Sequence, residues 1–259
     1  MPAPRDAKLY ARDYERLWSP VIRPMAEVVL RDVPITKAAR VLDIGTGCGA
    51  LARALRTAAP RSTICGIDRS LEMTRLAAQQ GVRTAVMDAA LLGLPAASFD
   101  AALSAFMLFI VPDPAAVLRE ARRVLRPGAI LATVTWGEDQ YARAEVIWEE
   151  ELQAAGAPPR PVHPSSDRVN APEKMERLCR EAGFRPERAW RQGFDVPFDL
   201  RSLLALKMAP GFADRFYDLG VPQREALTVQ VRGRFALLAP GDFLWRPEVI
   251  YCLARTPAG

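Results

Sequence analysis

The sequence predicts an α/β fold, a mostly parallel sheet with helices on both faces. Two observations point there. Residues 40–136 alternate short apolar runs with helical patterns, and strand, helix, strand in regular succession means right-handed crossovers and a parallel sheet. The run Phe99–Ala105 is mostly apolar, with Ala101–Leu103 showing no alternation, as expected of a strand buried on both faces near the middle of such a sheet.

The elements follow in order. Residues 7–31 make two helical patterns divided by Ser19-Pro20. Arg40–Ile44 is the first strand, Gly45–Gly49 a glycine turn, and Ala50–Ala59 a helix that ends before Pro60. Ser62–Ile67 is the second strand; Leu71–Gln80 is a helix closed by Gly81. Arg83–Met87 is a third strand and Phe99–Ala105 a fourth. Pro112–Leu125 is a helix with a 3.6-residue pattern, broken by Arg126-Pro127-Gly128 before a fifth strand, Ala129–Thr135. Beyond it the pattern loosens: a helix over Glu138–Ala155, a proline-rich loop over Ala157–Ala171, a helix over Pro172–Ala182, and a strand over Arg188–Val196. Leu200–Leu238 is helical, with breaks at Pro210-Gly211 and Gly220-Val221-Pro222, and Leu244–Leu253 is the closing strand.

Length and composition narrow the classes. At 259 residues, half of them apolar and a quarter charged, the chain is an ordinary globular protein of one large domain, and not a disordered one. The longest apolar stretch, Ala101–Pro112, falls short of the ~20 residues a spanning helix needs, and the charged N-terminal stretch lacks a signal-peptide core. A cytoplasmic protein without membrane association is expected. Net charge is +5, from 35 basic and 30 acidic residues, and the basic side chains are scattered rather than gathered into a stripe, which argues against nucleic acid as partner. Cys48, Cys65, Cys179 and Cys252 are too far apart in sequence for a CxxC knuckle and read as small buried hydrophobes.

The chemistry is concentrated in Val41-Leu42-Asp43-Ile44-Gly45-Thr46-Gly47-Cys48-Gly49. Glycines at alternate positions let backbone approach a ligand with no Cβ in the way, and the following helix offers free N–H groups. Dinucleotide enzymes use a glycine turn too, but their spacing is GxGxxG; here it is GxGxG, and Asp43 stands two residues before the first glycine. A carboxylate there repels a pyrophosphate and suits an ammonium group. Asp68 ends the second strand, where an acid accepts ribose hydroxyls in nucleotide folds. Asp88 ends the third strand and can accept from an adenine amino group. Three acids at consecutive strand ends describe a site for an adenosine with an amino-acid tail.

With these motifs in place the chain resembles a class I S-adenosylmethionine (SAM)-dependent methyltransferase of the small-molecule group that includes the ubiquinone/menaquinone C-methyltransferases. The matching pieces are VLDIGTGCGALA (41–52), GIDRSLEM (66–73), VMDAALLGLPAASFDAALSAF (86–106) and LREARRVLRPGAILATVTW (118–136). Cys48 between the last two glycines and Pro127-Gly128-Ala129 are mild departures. The resemblance implies a Rossmann-like, seven-stranded, mostly parallel sheet with a helical lid. It implies one methyltransferase domain over residues 1–259, with a SAM-binding core at 32–136 and lid or substrate elements at 1–31, 140–165 and 199–240. Closing strands are expected at 188–196 and 244–253. Carried onto this sequence, Gly45, Gly47, Gly49 and backbone near Asp43 hold the methionine moiety. Asp68 takes the ribose hydroxyls, Arg69 covers the adenine, and Asp88 and Ala89 read its edge. Ser104 offers its carbonyl toward the sulfonium, and Tyr14 reaches the cofactor carboxylate.

The reaction is bounded by what the motifs lack. Strand four ends in Ser104-Ala105-Phe106-Met107, unlike the Asn/Asp-Pro-Pro-aromatic tetrad that methylates exocyclic amines, and no metal-ligand cluster is visible, which disfavours a magnesium-dependent transfer. His163, the only histidine, is the one ordinary neutral-pH base and lies outside the family-matching segments, so an exposed loop residue is the expectation. Methyl transfer needs mainly alignment and desolvation, and a strong base is not required. The functional expectation is methyl transfer to a small molecule. A SAM-binding protein of the same fold with non-methylating chemistry, or a purely binding role, stays open. A nicotinamide dehydrogenase and a nucleic-acid methyltransferase are disfavoured.

Overall fold

The computed structural model describes residues 6–32 and 39–258. Residues 1–5 of the expected N-terminal lid segment, and 33–38 at the start of the expected core, lie outside them. Four helical pieces open the chain: α1 (Ala7–Asp13), a π-helical turn (Tyr14–Trp18), α2 (Ser19–Ala26) and α3 (Val28–Asp32). Asp6 caps α1, its carboxylate accepting from the Lys8 and Leu9 N–H groups. In the π turn the Ser19 N–H donates to the Tyr14 carbonyl, five residues back, which adds one residue to the turn.

The alternating part comprises β1 (Arg40–Ile44), α4 (Ala50–Ala58), β2 (Thr63–Asp68), α5 (Leu71–Gln79), β3 (Arg83–Val86), β4 (Phe99–Ala105), α6 (Pro114–Val124) and β5 (Leu125–Gln140). After it come α7 (Arg143–Ala154), α8 (Ser166–Val169), α9 (Pro172–Glu181), β6 (Arg185–Gly193), β7 (Val196–Pro197), α10 (Leu200–Lys207), α11 (Asp214–Tyr217), α12 (Val221–Phe235) and β8 (Leu244–Arg255). The sheet runs β3-β2-β1-β4-β5-β8-β6, with the two-residue β7 beside β8. β1 to β5 are parallel; β8 is antiparallel to β5, β6 and β7. The expected Rossmann-like, seven-stranded, mostly parallel sheet is therefore present, with β4 at its centre and β7 as a short addition. Among the described residues no helix is long and apolar enough to cross a membrane.

Each sheet face buries its own core. Leu42, Ile44, Ala102 and Leu131 pack against α6 and α9 through Leu118, Ala121, Met175 and Leu178. Val41, Ala101, Leu103 and Ala132 pack on the other face against α2, α4 and α5 through Met25, Leu51, Leu55 and Ala77. Strands buried on both sides read as continuous apolar runs, which explains why β1 and β4 stood out in the sequence. A third cluster joins α7, α10, α11 and α12 through Trp148, Leu203, Leu204, Phe216, Leu227 and Phe235. Of the cysteines, Cys48, Cys179 and Cys252 are buried and Cys65 is half-buried; all four are free.

The structure corrects the sequence reading at several places: the fifth strand starts at Leu125, paired with Phe99, rather than at Ala129, and α8 stands inside the expected proline-rich loop. The helix expected from Glu138 starts at Arg143, because β5 continues to Gln140, where β8 supplies pairs for Asp139 and Gln140 after an irregularity. The strand expected at 188–196 is β6, three residues earlier, with a break before β7.

Candidate functional site

The carboxyl ends of β1 and β2 meet under the N-terminal helices. Gly45, Gly47 and Gly49 all have positive φ, at 76°, 54° and 82°, conformations that an L side chain rarely adopts. Gly49 is the left-handed residue at the start of α4. The three differ in what lies above them. A Cβ on Gly45 would strike the Met107 side chain at 2.7 Å, and one on Gly49 would strike Ala77 at 2.8 Å. On Gly47 the nearest atom would be Tyr14 Cε1 at 4.0 Å. Gly45 and Gly49 are thus glycine for packing, and Gly47 alone leaves its backbone open.

Two carboxylates flank this turn. Asp43 is buried, and the Thr46 hydroxyl donates to its Oδ2 at 2.8 Å. Burial pushes its pKa up to about 6, against the Thr46 hydrogen bond that lowers it, and the nearby Asp68 raises it further. Asp68 ties β2 to the glycine turn: Gly47 N–H donates to Oδ2 at 3.0 Å and Ser70 N–H to Oδ1 at 2.9 Å. Burial holds Asp68 above the usual carboxylate range despite these bonds and the Arg69 charge. Burial favours the neutral form of both acids, so a cationic group placed between them would relieve an existing cost.

The expected residues fall into two groups. Tyr14 stands on the π turn over Gly47; burial is the main cause that raises its hydroxyl pKa, with Tyr10, Cys48 and Asp68 adding to it. Asp43, the glycines, Asp68 and Tyr14 are therefore brought together. Arg69, Asp88 and Ala89 lie on the rim. The Arg69 and Asp88 side chains are exposed, Ala89 is half-buried, and Asp88 Oδ1 accepts from the Ala90 N–H at 2.8 Å. Ser104 is in register with Ile44 of β1 and Thr133 of β5, and its buried hydroxyl has no hydrogen-bond partner among the described residues. His163 is half-buried rather than exposed. Its ring stands edge-on to Phe109 at 4.8 Å, and its loop is stitched to the segment leaving β4 by Ser165 N–H donating to the Phe109 carbonyl at 3.1 Å. Its Nδ1 is buried without a partner among the described residues, and burial and Arg160 lower its pKa.

Sequence reasoning missed three features here. Thr46 fixes Asp43; its signal was a hydroxyl three residues beyond the acid, inside the glycine turn. Phe106, just past β4, holds φ at 53° and stacks on Trp136 at 4.2 Å; no residue type announces that conformation. Trp18, Trp136 and Trp245 continue this aromatic wall, with Trp18 and Trp245 stacked at 5.6 Å. Third, the Gly211 N–H donates to the buried Asp13 Oδ2 at 2.9 Å, and Phe212 meets Tyr10 and Tyr14 edge-on at 5.4 and 6.2 Å. The 199–240 segment is thereby pinned to the helix that covers the turn. Of the apolar residues of this segment, Leu203, Leu204 and Phe216 are spent on its own core, and Phe212 is the one that reaches Tyr14.

The donor set fits SAM: a carboxylate at the end of β2 for a ribose diol, buried acids for a cation, and open backbone at Gly47 for the amino-acid tail. The comparisons agree. Residues 42–133 match the family described as a methyltransferase domain. A ubiquinone/menaquinone biosynthesis C-methyltransferase of Syntrophotalea carbinolica is 32% identical over 115 residues, covering 42% of this chain and 48% of the relative. A malonyl-[acyl-carrier protein] O-methyltransferase of Geobacter sulfurreducens is 27% identical over 204 residues, covering 75% and 74%. The chain spans about half the length of the curated relatives it matches at 30–32% identity over 115–130 residues. In fold it is similar to Haemonchus contortus phosphoethanolamine N-methyltransferase 2, solved with S-adenosylhomocysteine (SAH), at a TM-score of 0.54 and 18% identity, covering 95% of this chain and 57% of that one. Residues 42–133 of this chain thus match a methyltransferase domain.

Proposed function

We propose that the protein is a cytoplasmic, single-domain methyltransferase that moves a methyl group from SAM to a small organic acceptor. The observation that carries this reading is the convergence of Asp43, Gly47 and Asp68 beneath Tyr14. In it Asp68 binds the ribose hydroxyls, Asp43 and the backbone at Gly47 hold the amino-acid end, and Asp88 with Ala89 and Arg69 edges the adenine. Ser104, near the end of β4, would offer its carbonyl toward the sulfonium side. The cofactor, when bound, supplies an electrophilic methyl on a sulfonium; the chain's own contribution is alignment and exclusion of water. Phe106 follows β4, and Trp136 lies in β5 just before its irregularity; stacked together, they would present a flat apolar wall to the acceptor. Residues 1–31, 140–165 and 199–240 would supply the lid, and the Asp13–Gly211 bond ties the third segment to the described part of the first.

The test is incubation with SAM and a panel of small aromatic and aliphatic acceptors, reading SAH formed. Formation of SAH that depends on an acceptor supports the proposal. Tight SAH binding with no methylated product across the panel would favour the non-methylating reading of the same fold.

A further inference from the structure

A cleft of about 400 Å³ opens between the π turn, α10 and α12. Its walls are Leu200, Leu204, Ala205, Met208, Ala209 and Pro210, and Arg16, Arg201 and Arg232 line it with them. No carboxylate lines it. The contrast with the rest of the lid is sharp. The glutamates of α7 are taken up by other cations: Glu145 by Lys207, Glu149 by Arg215, and Glu150 and Glu151 by Arg234. Arg16 leans on Asp13 at 3.2 Å with a largely exposed side chain, and Arg201 influences only the exposed Asp199 at the start of α10. Arg232 makes no ion pair among the described residues. Arg16 and Arg201 each have one carboxylate near by, and Arg232 is left as the cation at this apolar floor for a bound anion to pair. The volume lies in the range of small-molecule sites.

We infer that this cleft binds a small organic anion with an apolar body, its carboxylate or phosphate held by Arg16, Arg201 and Arg232 and its chain laid along Leu204 and Met208. Such a ligand would bridge α10, α12 and the turn that carries Tyr14. Binding is read without cofactor, so the inference stands or falls separately from the methyl-transfer reading.

The experiment is calorimetric titration of the full chain with octanoate, octyl phosphate, octanol and octyltrimethylammonium. Octanoate or octyl phosphate should bind one to one, with the neutral and cationic chains at least tenfold weaker. Which anion is tighter distinguishes a carboxylate from a phosphate head. The double variant R201A/R232A should lose about tenfold in anion affinity, and R201K/R232K, which keeps the charge, should recover most of it. SAH affinity should be the same in all variants, showing an intact fold and a separate site. Octanol binding as tightly as octanoate, an unchanged double variant, or no anion binding up to millimolar concentration would each overturn the inference.

Discussion

Replacing Asp68 separates its two roles. Its carboxylate holds the glycine turn through Gly47 and the start of α5 through Ser70, at 3.0 and 2.9 Å, and under the proposed function it also accepts the ribose hydroxyls. Asp68→Ala removes both N–H partners. Each orphaned donor costs about 1–3 kcal/mol when dry, and water can reach a half-buried site, so a loss of about 2 kcal/mol in stability is expected. For a chain of this size that is a fall of roughly 4–8 °C in Tm. Loss of charged hydrogen bonds to the diol, about 1.5–3 kcal/mol, should weaken SAH binding tenfold or more. Asp68→Asn keeps one acceptor oxygen but turns an NH2 toward either Gly47 or the ligand, so it should fall between. The assays are thermal melting and calorimetry with SAH. A lowered Tm with SAH affinity within twofold of wild type would refute the reasoning and leave Asp68 a structural clamp.

Other outcomes follow from neighbouring residues. Asp43, with its pKa raised from 3.8 to about 6, carries its proton more readily folded than unfolded. Its contribution is therefore fully present below about pH 4 and lost as pH rises through 6; wild type should lose up to about 3 kcal/mol relative to Asp43→Asn between these limits, measured by denaturation at each pH. SAH affinity should rise over the same interval, because the ionised acid attracts the ammonium group. Gly211→Ala would put a Cβ 2.6 Å from the Tyr10 Cα and strain the bond to Asp13, so overpacking of about 1–3 kcal/mol and a Tm lower by roughly 2–12 °C are expected in a melting experiment. His163→Ala should keep kcat within about threefold, under roughly 0.7 kcal/mol of barrier, since a positioned acceptor needs no strong base. A fall of ~10²-fold on a phenol or alcohol acceptor, with SAH affinity unchanged, would instead make His163 the base.

The parts legible in the sequence are those where one local signal suffices. β1 and β4 are buried on both faces, so their apolar runs stand out. Asp43 and Asp68 were legible because strand ends place them, and the glycine spacing told one ligand type from another. β5 beyond Thr135 was not legible: Gly137-Glu138-Asp139-Gln140 favours no strand, and pairing with β8, more than a hundred residues on, decides it. The same holds for the lid. Asp13 and Gly211 are 198 residues apart, and neither residue type signals a buried bond to the other. For Leu203 and Leu204, periodicity shows that a face is buried, but not against what.

The place of β8 in the sheet has a consequence for biosynthesis. β8 follows every other strand in the chain, yet it lies between β5 and β6 and is the partner of β5, β6 and β7. Until residues 244–255 leave the ribosome, the outer edge of β5 and both edges of β6 present unpaired backbone. Open edges of this kind recruit other chains. The half-made protein is therefore stickier than the finished one, and Tyr251 closes the gap last. Its hydroxyl donates to the Met25 carbonyl at 2.8 Å, so the late strand is fastened to one of the first helices made.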